Sequence, residues 1–272
     1  MLTNRQKLWL IYKRLRVSIG IFGFILMYGI ITQQISFSLI VIGIGLAFIE
    51  LFGATYNDYT DYGEDIQNQR FEKLTVSGFL TLDQTKYLSF FSLSLGLLLL
   101  LYMSPIIFAL GIYYSIFLFL YSNPNYFIKQ YNVIGYIAVE SFWIIFPLLL
   151  STFYLSSITF TSILFSMFVF SQYVYILCQK DSTDPNDRTN LFLARGWKKG
   201  SIVCGLFALL SSFALLIISL SSIVFFGIWL LNVILKVLNV SNIYKKSINR
   251  KLRSKLILAE FLTPYLYLVG VI

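Results

Sequence analysis

Asn57, Asp58, Asp61 and Asp65 fall within nine residues, Asn57-Asp58-Tyr59-Thr60-Asp61-Tyr62-Gly63-Glu64-Asp65, in a chain of which only 12% is charged. On a helix their positions i, i+1, i+4 and i+8 project into an arc of roughly 100°. Three carboxylates and an amide on one face repel one another unless something positive lies between them. The sequence contains no histidine, which excludes imidazole ligation, Ser-His and Cys-His catalysis, and a histidine base. Any metal held here is therefore held by oxygen. A hard divalent cation takes such ligands and keeps room for a substrate phosphate. The competing reading of the same residues is a solvated acidic loop.

A second acidic cluster lies far along the chain, in Lys180-Asp181-Ser182-Thr183-Asp184-Pro185-Asn186-Asp187-Arg188-Thr189-Asn190. Pro185 is comfortable at the first position of a helix with Asp184 before it as N-cap, so Asp181 closes one helix while Asp184 and Asp187 open a new turn. Two metal ions bridging one diphosphate between the clusters is chemistry that suits such a pair. Basic residues follow the first cluster closely at Arg70 and Lys73, near enough to meet phosphate oxygens. Their alternative role is to face lipid headgroups, and the same choice stands for Lys129, in the segment Tyr121-Ser122-Asn123-Pro124-Asn125-Tyr126-Phe127-Ile128-Lys129.

The elements that must position these groups are set by composition. Of the 272 residues, 58% are hydrophobic and 18% aromatic, and mean hydropathy is +0.77. That lies far outside a soluble domain, where about half the residues are apolar and about a quarter charged. Apolar runs long enough to cross a bilayer recur throughout and predict nine spans near 17–34, 37–57, 84–103, 105–122, 132–152, 158–179, 199–220, 222–238 and 256–272. The fold expected is all-α, a polytopic bundle in one domain over 1–272, with a central polar cavity opening to the cytoplasmic side. Residues 1–16, with Arg5, Lys7, Lys13, Arg14 and Arg16 between Leu8, Trp9, Leu10, Ile11 and Tyr12, read as an interfacial amphipathic segment. The first span is read as retained rather than cleaved.

The 21 Lys and Arg residues fall in the N-terminal segment or in and at the edges of the connections after spans two, four, six and eight. The positive-inside rule then places the N-terminus and both acidic clusters on the cytoplasmic side. The net charge of +9 is thus accounted for by membrane topology, and nucleic acid is not an expected partner. Lys236, Lys245, Lys246, Arg250, Lys251, Arg253 and Lys255 read as a headgroup-binding segment. Glu50 lies seven residues before Asn57 on the same helical face, where it extends the site inward or assists a base. Glu140 and Glu260 are ionisable groups at membrane depth with no visible partner. Cys178 and Cys204 read as small apolar fillers.

Taken together, these features resemble the UbiA superfamily of intramembrane prenyltransferases. Asn57, Asp58, Asp61 and Asp65 match the form NDxxDxxxD. Arg70, Lys73 and Ser77-Gly78 look like the basic segment and Ser-Gly pair that follow it. Tyr121-Ser122-Asn123-Pro124 running to Lys129 resembles the family's segment after span four. The second cluster departs from the family pattern, since Asp181, Asp184 and Asp187 lead directly into Arg188-Thr189-Asn190-Leu191, with no Gly before Arg195-Gly196.

The resemblance implies transfer of an isoprenyl chain from its diphosphate to an aromatic or other lipophilic acceptor through an allylic carbocation. Mg2+ on Asp58, Asp61, Asp65, Asp181, Asp184 and Asp187 would hold the diphosphate, with Asp58, Asp61, Asp184 and Asp187 the catalytic set. Asn57, Arg70, Lys73, Tyr121, Lys129 and Arg188 would contact substrate. Aromatic faces stabilise a cation, although no single ring is assigned. The implied setting is a bacterial or archaeal cell membrane. Two alternatives stay open: a terpene cyclase of the same architecture that consumes no acceptor, and a membrane protein that binds cations without chemistry.

Overall fold

The computed structural model describes residues 3–71, 73–123, 125–126, 128–131, 133–181, 191–220, 222–246 and 250–269. Among these every regular element is helical: α1 (Asn4–Ile31), α2 (Phe37–Thr60), α3 (Tyr62–Gln67), α4 (Leu82–Met103), α5 (Pro105–Ser122), α6 (Val133–Glu140), α7 (Phe142–Leu155), α8 (Phe160–Asp181), α9 (Leu191–Arg195), α10 (Trp197–Ser219), α11 (Ile223–Tyr244) and α12 (Arg250–Val269), with a 3-10 turn at Ile128–Tyr131. Eight stretches are long and apolar enough to cross a membrane, α6 and α7 counting as one. They match the first eight predicted spans. The ninth overlaps α12, which is not one of the eight, and its last residues, 270–272, lie outside the described residues.

Helix starts follow capping chemistry. Thr3 and Gln6 bond each other's backbone at the head of α1, and Thr81 with Gln84 forms a second capping box at α4. Ser36 caps α2, accepting from the Leu39 N–H. Ser104 caps α5, with Pro105 at its first turn. Membrane helices need every backbone group satisfied internally, and these side chains complete the exposed first turns. The fifth span is broken between Glu140 and Phe142, where the Ser141 hydroxyl donates to the Ala138 carbonyl.

Residues 1–16 are not a separate interfacial helix. Neither glycine nor proline interrupts the chain before Gly20, so α1 runs unbroken from Asn4 into the first span. Leu8 and Trp9 remain exposed while Leu10 is buried, so only part of this turn is available to lipid.

The backbone divides into two compact units, one of 1–25 and 36–128, the other of 26–35 and 129–272. In the first, α2 packs against α4 and α5. The helices approach closely because both are glycine at the crossing: a Cβ on Gly96 would stand 2.7 Å from the Gly45 carbonyl oxygen, and one on Gly45 would stand 2.7 Å from Leu100 Cδ2. In the second unit α8 packs against α7 and α10, with α11 on α10 and α12 on α11. Its core is aromatic. Trp143 stacks on Tyr173 with ring centres 5.4 Å apart, and the Tyr28 hydroxyl donates to the Pro147 carbonyl at 3.3 Å. Both cysteines are free and buried, in line with the filler reading.

Lys236 overturns its headgroup reading. It sits inside α11, is 2% exposed, and donates to Ser211 Oγ at 2.5 Å. Around it, Gln172 donates to the Glu260 carboxylate, Asn232 to Thr263, and Asn239 to Tyr175, with the Phe168 and Tyr175 rings 5.9 Å from its ammonium. Glu260 therefore does have partners. Lys236 lies only a few residues from a basic tail in sequence, which is why charge counting alone assigns it to the surface.

Candidate active site

The acidic stretch straddles a shallow break. α2 ends at Thr60, Asp61 takes φ −88 and ψ 7, and α3 starts at Tyr62. The i to i−4 bonds nevertheless continue across it, Asp61 N–H to the Asn57 carbonyl at 3.0 Å and Asp65 N–H to the Asp61 carbonyl at 2.8 Å. The four side chains thus keep a common face, but they separate into two pairs. Asn57 Nδ2 donates to Asp61 Oδ2. Asp58 and Asp65, both fully buried, are joined through Lys73, whose Nζ lies 2.9 Å from Asp58 Oδ1 and 3.4 Å from Asp65 Oδ2.

Lys73 reaches that point because the chain folds back after α3. Arg70 N–H bonds the Asp65 carbonyl at 2.9 Å, Lys73 N–H bonds the Arg70 carbonyl at 3.0 Å, and Ser77 N–H bonds the Lys73 carbonyl at 3.0 Å. Thr75 Oγ1 then ties the turn to the Asp58 carbonyl at 3.2 Å. Gly78 closes the segment at φ +70, a left-handed conformation that glycine adopts without a Cβ clash. The Ser-Gly pair is thus a turn device. Arg70 bonds Asp65 Oδ1 at 2.8 Å.

A third cation comes from α1. Arg14 Nε lies 2.8 Å from Asp58 Oδ2. Its place in a basic segment points Arg14 to lipid headgroups, but Leu10, Ser18, Ile21, Ile25 and Tyr28 form a buried stripe of α1, and Arg14 falls in it. A basic residue on a buried stripe needs an acidic partner. Asp58 and Asp65 thereby stand against three cations, Arg14, Arg70 and Lys73, with Asp61 beside them bonded to Asn57. In this arrangement Arg70 and Lys73 contact carboxylates directly, where their spacing leaves phosphate oxygens and lipid headgroups both open. Removing one partner from a buried ion pair costs on the order of 3–5 kcal/mol, so the set is held tightly.

The donor set fits a divalent ion in one respect and limits it in another. All the ligand atoms are oxygen, and two fully buried carboxylates already hold one positive group, the Lys73 ammonium, between them. Yet among the described residues no three acidic side chains converge on one point. That matches Mg2+, which is bound through one or two carboxylates plus substrate phosphates and keeps several waters.

The opposite face of the same stretch borders a hollow of about 450 Å³, lined by Tyr56, Tyr59, Thr60, Tyr62, Gly63, Leu82, Asn123 and Asn125. Asn123 Nδ2 donates to the Tyr56 hydroxyl at 3.3 Å, and Tyr56 stacks on Phe119 at 5.2 Å. Tyr121 stands half-buried near the end of α5. α8 ends at Asp181 as the sequence predicts. Asp184, Asp187 and Arg188 lie outside the described residues, as do the side chains of Asp181 and Lys129.

Three comparisons bear on identity. The model of the UbiA prenyltransferase family matches residues 17–262. None of the curated proteins matches the chain. Among solved structures it is similar to one described by its authors as giving structural and mechanistic insights into digeranylgeranylglyceryl phosphate synthase in membranes, with a TM-score of 0.58, 20% identity and 96% of each chain covered. At that identity the likeness shows the fold.

Proposed function

The chain belongs to the UbiA prenyltransferase family, and from that premise we propose that it moves an isoprenyl group from a prenyl diphosphate to a lipophilic acceptor, aromatic or otherwise, inside the membrane. The observation that carries this reading is the buried Asp58–Lys73–Asp65 bridge at the end of a membrane helix. It holds positive charge at one spot with full desolvation of both carboxylates. The whole chain acts as one domain in this reading, with the N-terminus and both acidic clusters cytoplasmic and a polar cavity opening to that side.

Asp58, Asp61 and Asp65, with Asp181, Asp184 and Asp187, would hold Mg2+, which when bound would supply positive charge to the diphosphate. The chain's own residues do the rest. Lys73 and Arg70, which stand on Asp58 and Asp65 at this site, bind phosphate oxygens, and Arg's planar fork suits them bidentately. Arg14 has the same option from α1. Asn57 orients Asp61 through its amide. Lys129, Tyr121 and Arg188 complete the diphosphate contacts. Positive groups fixed where negative charge develops on the leaving oxygen lower the barrier without reorganising at the moment of reaction. The departing chain leaves an allylic cation that aromatic faces stabilise.

The test uses purified protein in lipid nanodiscs, Mg2+, a series of prenyl diphosphates, and acceptors present or withheld. Asp58→Asn and Asp61→Asn are expected to lower diphosphate release by about 100-fold or more, the scale of losing a preorganised charge partner, with the protein still membrane-inserted. Chelation with EDTA is expected to do the same to the unaltered protein and to reverse on adding Mg2+. Near-normal release from both variants refutes the metal-diphosphate reading. Diphosphate release with a cyclised hydrocarbon and no acceptor consumed assigns a cyclase.

A further inference from the structure

Glu50 is a carboxylate on the same face of α2 as the acidic stretch. With Ala47, Ala54 and Asn57 it forms a stripe at i, i+4, i+7 and i−3, and all four are half-buried, while Leu46, Ile49, Phe52 and Gly53 beside them are buried. Two methyl-sized neighbours leave Glu50 as the tallest side chain below Asn57. Tyr114 of α5, itself 1% exposed, donates its hydroxyl to Glu50 Oε2 at 2.7 Å. Among the described residues no cation pairs with Glu50. This sets it apart from Asp58 and Asp65, whose carboxylates are both met by basic groups. A carboxylate at membrane depth without a counter-ion is costly unless it is used.

Its height fits a use. Seven residues separate Glu50 from Asn57, about 10 Å along the helix axis. A diphosphate bound at the level of Asn57 and Asp61, the carbon it leaves, and an attacking hydroxyl fill that distance in series. We propose that Glu50, oriented by Tyr114, is the acceptor-side catalytic residue: it accepts a hydrogen bond from the acceptor's hydroxyl and takes its proton. This rests on the prenyl-transfer reading. The carbon–oxygen bond to diphosphate breaks and its electron pair leaves with the diphosphate; the acceptor oxygen then bonds to the allylic carbon, and the hydroxyl proton passes to Glu50. A carboxylate in that place selects an acceptor with a neutral hydroxyl, because an acceptor bearing its own carboxylate would bring like charges together where screening is weak.

The experiment compares the unaltered protein with Glu50→Gln, Glu50→Asp and Tyr114→Phe in nanodiscs. Geranylgeranyl diphosphate is the donor, and a long-chain alcohol, a hydroquinone and a hydroxybenzoate are the acceptors. Products are read by mass and donor binding by radiolabel. Glu50→Gln is expected to lower kcat with the alcohol or hydroquinone by about 100-fold or more, the scale of general-base loss, while donor binding and donor KM stay within about twofold of the unaltered protein. Glu50→Asp should recover part of the rate, and Tyr114→Phe should lower kcat by roughly tenfold or less through lost orientation. Three results overturn the proposal: Glu50→Gln turning over within about threefold of the unaltered protein, Glu50→Gln losing donor binding together with rate, or preferred prenylation of the hydroxybenzoate. If the unaltered protein neither binds the donor nor releases diphosphate, prenyl transfer itself fails, a different outcome from any of these.

Discussion

Replacing Lys73 by Met tests whether the buried bridge is what it looks like. The Met stem fills the space of the Lys stem, so the change is confined to the ammonium, which lies 2.9 Å from Asp58 and 3.4 Å from Asp65. Both carboxylates are fully buried, and Lys73's side chain is 13% exposed, so screening by water is small. Removing one member of such a set costs on the order of 3–5 kcal/mol. Arg14 stays on Asp58 and Arg70 on Asp65, which places the expected loss toward the lower end, about 3 kcal/mol. The variant should also gain sensitivity to metal, because the spot between the carboxylates no longer holds a competing cation. A ligand at 100 times its Kd stabilises the folded state by about 2.7 kcal/mol, so saturating Mg2+ should return most of the loss. The assay is unfolding in mixed micelles, in EDTA and across a Mg2+ titration, run beside the unaltered protein. A stability in EDTA within about 0.5 kcal/mol of the unaltered protein, the range of ordinary surface changes, would refute the reasoning. So would equal Mg2+ stabilisation of the two proteins.

Two further outcomes concern packing. Gly96→Ala sets a Cβ 2.7 Å from the Gly45 carbonyl oxygen and 2.9 Å from Ile49 Cγ1; overpacking of this kind costs about 1–3 kcal/mol and, by pushing α2 aside, should lower activity too. Gly227→Ala, which meets nothing within 4 Å, should instead leave stability unchanged or raise it by about 0.5–1 kcal/mol, and the unfolding midpoints of the pair check both. Lys236→Met should destabilise by on the order of 3–5 kcal/mol because it strips a buried cation from the packet that holds Glu260, and adding Glu260→Gln should restore part of that loss. Strictly additive losses in the double-mutant cycle would show that the two charges do not act on each other.

How far the sequence carries depends on which constraint fixes each feature. The helices were legible because a bilayer demands about 20 apolar residues per span and leaves no backbone group unpaired. Thr81 with Gln84, Ser104 with Pro105, and Asp181 mark their ends in the local sequence. The common face of Asn57, Asp58, Asp61 and Asp65 follows from helical spacing alone and survives the break at Asp61. What was not legible depends on where the chain returns in space. Lys73 meets Asp58 only through the turn at 70–78, and nothing in the spacing of Lys73 tells a carboxylate from a phosphate. Arg14 belongs to a helix that sequence reading cut at residue 16. Lys236 illustrates the limit of charge counting: positive-inside statistics describe loops, and one lysine inside a span is indistinguishable from one at its edge until its neighbours are placed.

The balance of charge at the first motif argues for how donor and metal arrive under the proposed function. Asp58, Asp61 and Asp65, all buried, carry three negative charges, and buried Arg70, with the largely buried Arg14 and Lys73, carries three positive ones. A bare diphosphate added to this set brings excess negative charge into a weakly screening place, and a bare divalent ion must first displace an ammonium from two carboxylates. Either alone is opposed by the charge it leaves uncompensated. Bound together they would allow an exchange of partners: the carboxylates would hold the metal while the ammonium and guanidinium groups met phosphate oxygens, with the total nearly unchanged. On the proposed function the salt bridges would be the resting form of the contacts that hold the substrate, and metal and diphosphate would bind with positive coupling.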